Sequence, residues 1–131
     1  MTEQFLKAFR NKYLEVRQLE RELAAMGPVP RVSQFDKILA ESDSEGSQVE
    51  QAVEKFLIIR ERYEAILNEY IDDKVRIERA FAECLTPNER TAMRYYYFQR
   101  LKWEDTAERM DISTRQALRL RKFALEKLEN Y

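Results

Sequence analysis

The chain has 131 residues, a net charge of −1, no histidine and a single cysteine, Cys84. That length holds one or two small domains rather than a large enzyme core; without His it lacks the commonest general base, and with one Cys as well it can form neither an intrachain disulfide nor a Cys/His zinc site. With only 2 Gly and 3 Pro, the composition favours an almost wholly helical protein.

Thr2 to Met26 reads as one amphipathic helix. Phe5, Phe9, Val16, Leu19, Leu23 and Met26 fit the apolar positions of a heptad, and Lys12, with Tyr13 beside it, breaks the pattern. Gly27 stops the helix and Pro28 confirms the stop. Val29 to Asp36, with Pro30, is a connector. Phe35, Ile38 and Leu39 suggest a short helical turn. Glu41 to Ser47 is small and polar, the composition of a mobile loop.

Gln48 to about Leu85 is then a long helix. Val49, Ala52, Phe56, Ile59, Tyr63, Ile66, Tyr70, Ile77, Ala80 and Cys84 keep a three-four spacing, interrupted by Asp73. At about 1.5 Å per residue it would run roughly 55 Å. It needs the first helix folded back as an antiparallel partner, and a second subunit as well. Leu57, Ile58, Leu67, Ile71, Val75 and Phe81 lie off the seam and widen the stripe. Cys84 reads as a small buried hydrophobe. Residues 1–85 therefore form a helical scaffold and oligomerisation region, with 27–47 as linker and loop and a homodimer favoured.

Residues 86–131 form a second domain. Thr86-Pro87-Asn88-Glu89 carries an N-cap threonine, a proline at N1 and a glutamate at N3, a strong helix start. The helix continues through Ala92, Met93, Tyr96 and Tyr97 to Phe98, and most of the Tyr95–Phe98 rings serve as core. Trp103, Ala107 and Met110 share one face of a two-turn helix. Asp111-Ile112-Ser113 is a tight turn, with Asp111 taking the left-handed position. Ala107 is small enough for close crossing, so two short helices and the turn make a helix-turn-helix.

The second of these helices starts at Ser113, with Gln116 completing a capping box. Ala117, Leu120, Ala124 and Leu128 share one side, edged by Leu125. Arg115, Arg119 and Lys122 share the other. Between Ser113 and Leu125 there are four basic residues and no acid. From Asn88 to Tyr131 ten Lys or Arg stand against seven Asp or Glu, a net of +3, so the remainder carries −4. A basic end on an acidic body fits local contact with double-stranded DNA. Arg115 and Arg119 suit bidentate contacts to guanine and Gln116 suits adenine. Thr114 sits at the helix N-terminus, where its hydroxyl and the backbone amides hold a phosphate, and Ser113 and Lys122 complete the candidate DNA-binding residues.

Leu85-Thr86-Pro87-Asn88-Glu89-Arg90, the aromatic run, Trp103 to Ala107, Ile112-Ser113 and Ala124 to Leu128 together resemble region 4 of sigma-70-type factors. The resemblance covers about 45 residues. It implies promoter-element binding through Thr114, Arg115, Gln116 and Arg119, a phosphate contact by Lys122, and RNA polymerase as a second partner. The whole chain resembles the small phage regulators of the ArpU and RinA type, which join a helical N-terminal part to a sigma-like helix-turn-helix.

The expected fold is thus all-α: a long N-terminal helical hairpin or coiled coil followed by a three-helix, sigma-region-4-like helix-turn-helix. The expected function is sequence-specific transcriptional regulation, as a phage or mobile-element late-gene activator. Two other classes stay open. One is a DNA-packaging protein like a terminase small subunit. The other is an RNA-polymerase-binding module that does not read DNA, for which exposed Phe123 is the pointer. There is no phosphate loop, nucleophile–base pair or metal cluster, so neither an enzyme nor a cofactor is expected. No signal peptide or membrane span is recognisable, and the expected location is the reducing cytoplasm of a bacterial host.

Overall fold

The amphipathic repeats and cap signals resolve, in a computed structural model, into five helices among the described residues. They are α1 (Glu3–Ala25), α2 (Gly46–Cys84), α3 (Pro87–Tyr97), α4 (Trp103–Met110) and α5 (Thr114–Glu129). The structure describes residues 1–26 and 46–131. The expected stop at Gly27-Pro28, the connector, the turn around Phe35, Ile38 and Leu39, and the loop up to Glu45 lie outside the described residues. Among those described, no helix is long and apolar enough to cross a membrane.

Helix α2 starts at Gly46 rather than Gln48, taking Gly46 and Ser47 from the expected loop. Small polar residues suit a helix start as well as a loop. Two expected seam residues face solvent. Met26 lies one residue beyond α1 and is 41% exposed. Ala52 is exposed and Val53 turns inward in its place, four residues after Val49 and three before Phe56.

The compact units do not divide at Leu85. Met1–Leu14 and Glu69–Tyr131 form one unit, and Glu15–Asn68 form the other. Both long helices are continuous across this division, so it coincides with no helix end. In the second unit Val16 and Leu19 are buried, and Arg62 lies 3.7 Å from Glu15.

The first unit has one core, built from four helices. Leu6 and Phe9 of α1 join Ile77, Ala80 and Phe81 of α2, Met93 and Tyr97 of α3, Ala124 and Leu128 of α5, and Leu85 between helices. Leu6, Phe9, Phe81, Ile77, Met93 and Leu128 are fully buried. Each contributes about 1.5–3 kcal/mol of apolar burial. Phe9 stacks on Tyr70 at 4.7 Å and meets Phe98 edge-on at 5.7 Å. The Tyr95–Phe98 run therefore serves mainly as core: Tyr97 lies inside, with Tyr96 and Phe98 packed against it. Burial pushes the Tyr97 phenol up to about 12, with Arg121 pulling the other way.

Lys12 and Asp73, each a break in its own apolar seam, face each other. The Lys12 ammonium donates to Asp73 Oδ2 at 2.9 Å and lies 3.5 Å from Glu69. Phe5 beneath Arg76, Phe9 on Tyr70 and Lys12 beside Glu69 run in opposite orders along the two helices, so α1 and α2 are antiparallel in this unit. The half-buried pair favours this register, because a slip by one turn, about 5.4 Å, would separate Lys12 from Asp73.

The turn from α3 to α4 carries a left-handed Arg100, φ 56°. That conformation costs a non-glycine residue about 1–2 kcal/mol. Several contacts hold it. The Arg100 guanidinium donates to the Phe98 carbonyl at 2.8 Å and lies 3.2 Å over the Tyr13 ring. Arg10 of α1 donates to the carbonyls of Tyr96 and Arg100 and covers the Tyr96 ring, which stacks on Trp103. Helix α1 is thereby bound to the turn that sets the direction of α4.

The register claim has a direct check. Asp73→Ala, which leaves the Lys12 ammonium only the more exposed Glu69, should lower unfolding free energy by about 1–2 kcal/mol, between exposed and fully buried pairs. Replacing Lys12 and Asp73 together by leucine should cost less than the sum of the single replacements. Urea denaturation measures both, and simple additivity would contradict the pairing.

Candidate nucleic-acid interface

Helix α5 is placed by its apolar back. Ala117, Ala124 and Leu128 are completely buried, Leu120 is half-buried, and Leu125 packs against the core. The helix packs on both α3 and α4. Ala107 of α4, 2% exposed, supplies the small surface for a close crossing. Thr106 beside it is also fully buried, and its hydroxyl has no partner among the described residues.

The turn between α4 and α5 is Asp111-Ile112-Ser113, three residues as expected. Asp111 has φ 57° and ψ 43°, the left-handed C-cap. Its amide donates to the Glu108 carbonyl at 3.1 Å, and the Ile112 amide donates to the Ala107 carbonyl at 3.0 Å. These bonds close the end of α4 and turn the chain into α5. The start of α5 is a full capping box. Ser113 Oγ accepts from the Gln116 amide and Gln116 Oε1 accepts from the Ser113 amide, each at 3.1 Å.

All six residues read from the sequence lie along one stretch of this helix. Ser113 is the exposed N-cap, and Thr114 is the half-buried first helical residue. Arg115, Gln116, Arg119 and Lys122 are exposed. Gln116 differs from the expectation in one respect. Its carbonyl oxygen is engaged in the cap, so bidentate pairing with adenine requires the cap to open. Its amide nitrogen stays available to donate.

The basic residues of α5 sort by direction. Arg121 pairs with Glu3 of α1, and Lys127 pairs with Glu89 of α3. Among the described residues no ion pair involves Arg115, Arg119 or Lys122. Among the described residues the two inward cations are neutralised by the fold and the three outward ones are not. Two apolar side chains accompany them at the surface, Leu118 at 42% and Phe123 at 47% exposed. Phe123 was expected there. Leu118 was missed, although its position off the Ala117–Leu120–Ala124–Leu128 side was the available signal. Glu3 and Glu89, which orient the helix, had no such signal, since each is far from its partner in sequence.

Glu89 is 3% exposed and serves both α3 and α5. Its Oε1 accepts from the Thr86 amide in the cap of α3 and from the Lys127 ammonium, while Oε2 has no partner among the described residues. Burial pushes its carboxyl up. The Lys127 ammonium and the Thr86 hydroxyl and amide outweigh this and hold it below the usual 4.5. The pair joins the N-terminal end of α3 to the last turn of α5.

Residues 82–130 match the family model for sigma-70, region 4. The match takes in α3, α4 and α5 and leaves residues 1–81 outside. No curated protein and no solved structure matches the chain. The C-terminal part is thus similar to a sigma-70 region 4 helix-turn-helix, a DNA-binding module of transcription proteins.

Glu89→Gln should keep the capping box, which accepts glutamine, while removing the charge that faces Lys127. A carboxyl depressed on folding contributes stability above its unfolded value and loses it as pH falls through the folded one. The variant should therefore be less stable than the parent at pH 7, and the gap should close below about pH 4.5. Thermal unfolding across pH checks this. A gap that stays constant down to pH 3 would remove the charge pairing as its source.

Proposed function

We propose that the chain is a sequence-specific DNA-binding regulator of transcription that presents α5 to the major groove. The observation that carries this reading is the sorting of charge on α5. Arg115, Arg119 and Lys122 share one side of the helix with no ion-pair partner among the described residues, while Arg121 and Lys127 are neutralised within the fold. Exposed cations of this kind, on the second helix of a helix-turn-helix, suit phosphates and base edges. Arg115 and Arg119 take guanine edges, Lys122 a phosphate, and Thr114, with the free amides of the first turn, a second phosphate. Gln116 divides its side chain between cap and base.

The finer reading is a late-gene activator of a phage or mobile element, of the ArpU and RinA type, working in the cytoplasm of a bacterial host. Its support is the resemblance of the whole plan, a helical N-terminal region joined to a sigma-like helix-turn-helix. Two copies act together, because one small helix-turn-helix reads few base pairs and a dimer joins two half-sites. Exposed Ile71 and Val75, one turn apart on α2, support self-association. RNA polymerase is the second partner, with Phe123 beside the basic stripe as an apolar anchor.

Duplex binding by single variants separates the roles. Arg115→Ala should weaken binding to the preferred sequence by about 1–3 kcal/mol and relax preference at one position. Lys122→Ala should weaken binding to all sequences alike and lower the slope of log affinity against log salt by about 0.9. Fluorescence anisotropy over a salt series reads both. Unchanged affinity and preference in either variant would contradict that assignment.

A further inference from the structure

Leu118 is 42% exposed, although α5 has a buried apolar side available to leucine. It lies three residues after Arg115, about 60° round the helix from it, and so stands beside the basic stripe rather than on the apolar back. Its neighbours on the helix surface at i−4, i−3, i+3 and i+4 are Thr114, Arg115, Arg121 and Lys122. Three of them are groups assigned to phosphates and base edges, and the fourth, Arg121, is paired with Glu3. An apolar side chain in their midst meets whatever they bring to the helix.

We infer that Leu118 is a specificity-determining residue that packs against the 5-methyl group of a thymine in the major groove. This rests on the DNA-binding reading and deepens it. Thymine's methyl is the apolar group that the major groove displays among its donors and acceptors. Leucine offers neither donor nor acceptor, so what it can select is that methyl. Its place along the helix also fits. Leu118 stands four residues past Thr114, about 6 Å along the axis and within the N-terminal part that enters the groove. Phe123, the other exposed apolar residue of α5, is nine residues past Thr114, about 13 Å along, beyond that part. Packing on the methyl removes water from both groups, which adds preference at one base pair without a hydrogen bond.

The test uses the full chain and a duplex carrying the sequence it selects from a random library. Each thymine is replaced singly by deoxyuridine, which lacks only the methyl. At one thymine position the parent should bind the deoxyuridine duplex roughly fourfold more weakly, the weight of one buried methyl. Leu118→Ala should bind the two duplexes equally at that position while keeping the parent's salt dependence. The substitution is at an exposed helical site and introduces the best helix former, so folding is retained. Equal binding by the parent at every thymine would overturn the inference and leave the DNA-binding reading standing. So would a Leu118→Ala protein with the parent's discrimination. Absence of salt-dependent binding to the thymine duplex would overturn both.

Discussion

The rotational setting of α5 is the constraint on which the rest depends. A helix carrying four basic residues in eight positions, Arg115 to Lys122, is ambiguous until something fixes which way it faces. Burial of Ala117, Ala124 and Leu128 sets its back, and two ion pairs hold its flanks. Arg121 is held toward α1 and Lys127 toward α3. What remains outward is a stripe of cations beside one leucine, unpaired among the described residues. A rotation by a single residue, about 100°, would bury charge and expose the alanines. The packing that stabilises the unit is therefore also what presents the proposed interface.

Much of the structure supports this setting from a distance. Helix α1 adds Leu6 and Phe9 to the core beneath α5, pairs Glu3 with Arg121, and holds the Arg100 turn through Arg10. The C-terminal half of α2 closes the other side with Ile77, Ala80 and Phe81. The helix-turn-helix is in this sense part of a larger unit that includes the first fourteen residues. Residues 1–81 lie outside the match to sigma-70 region 4, yet some of them complete the core of the part that matches.

The features legible in the sequence were those whose physics is local. Thr86 with Glu89 and Ser113 with Gln116 form capping boxes over four residues, and both are present. The left-handed Asp111 follows from a three-residue turn that has no glycine. The sorting of Arg115, Arg119 and Lys122 from the apolar side of α5 follows from helical period alone. Features that need a distant partner were less legible. Lys12 and Asp73 read as two separate breaks in two seams, and only folding sets them side by side. Arg121 could be kept off the outward stripe, but its partner Glu3 stands 118 residues away. Arg100 gave no signal, because its left-handed turn is held by tertiary contacts to Tyr13 and Arg10 rather than by glycine. The division into units escaped for a similar reason: it falls inside two unbroken helices, where no cap or breaker marks it.

The central claim is that the outward face of α5 reads a DNA sequence, and that two copies do so together. Selection of bound sequences from a random duplex library, with purified protein at moderate salt, tests it most directly. The account predicts a recovered motif with two half-sites at fixed spacing, about 10 base pairs or a multiple between centres. Recovery of bound duplexes with no shared motif, or of no bound duplex at all, would contradict it.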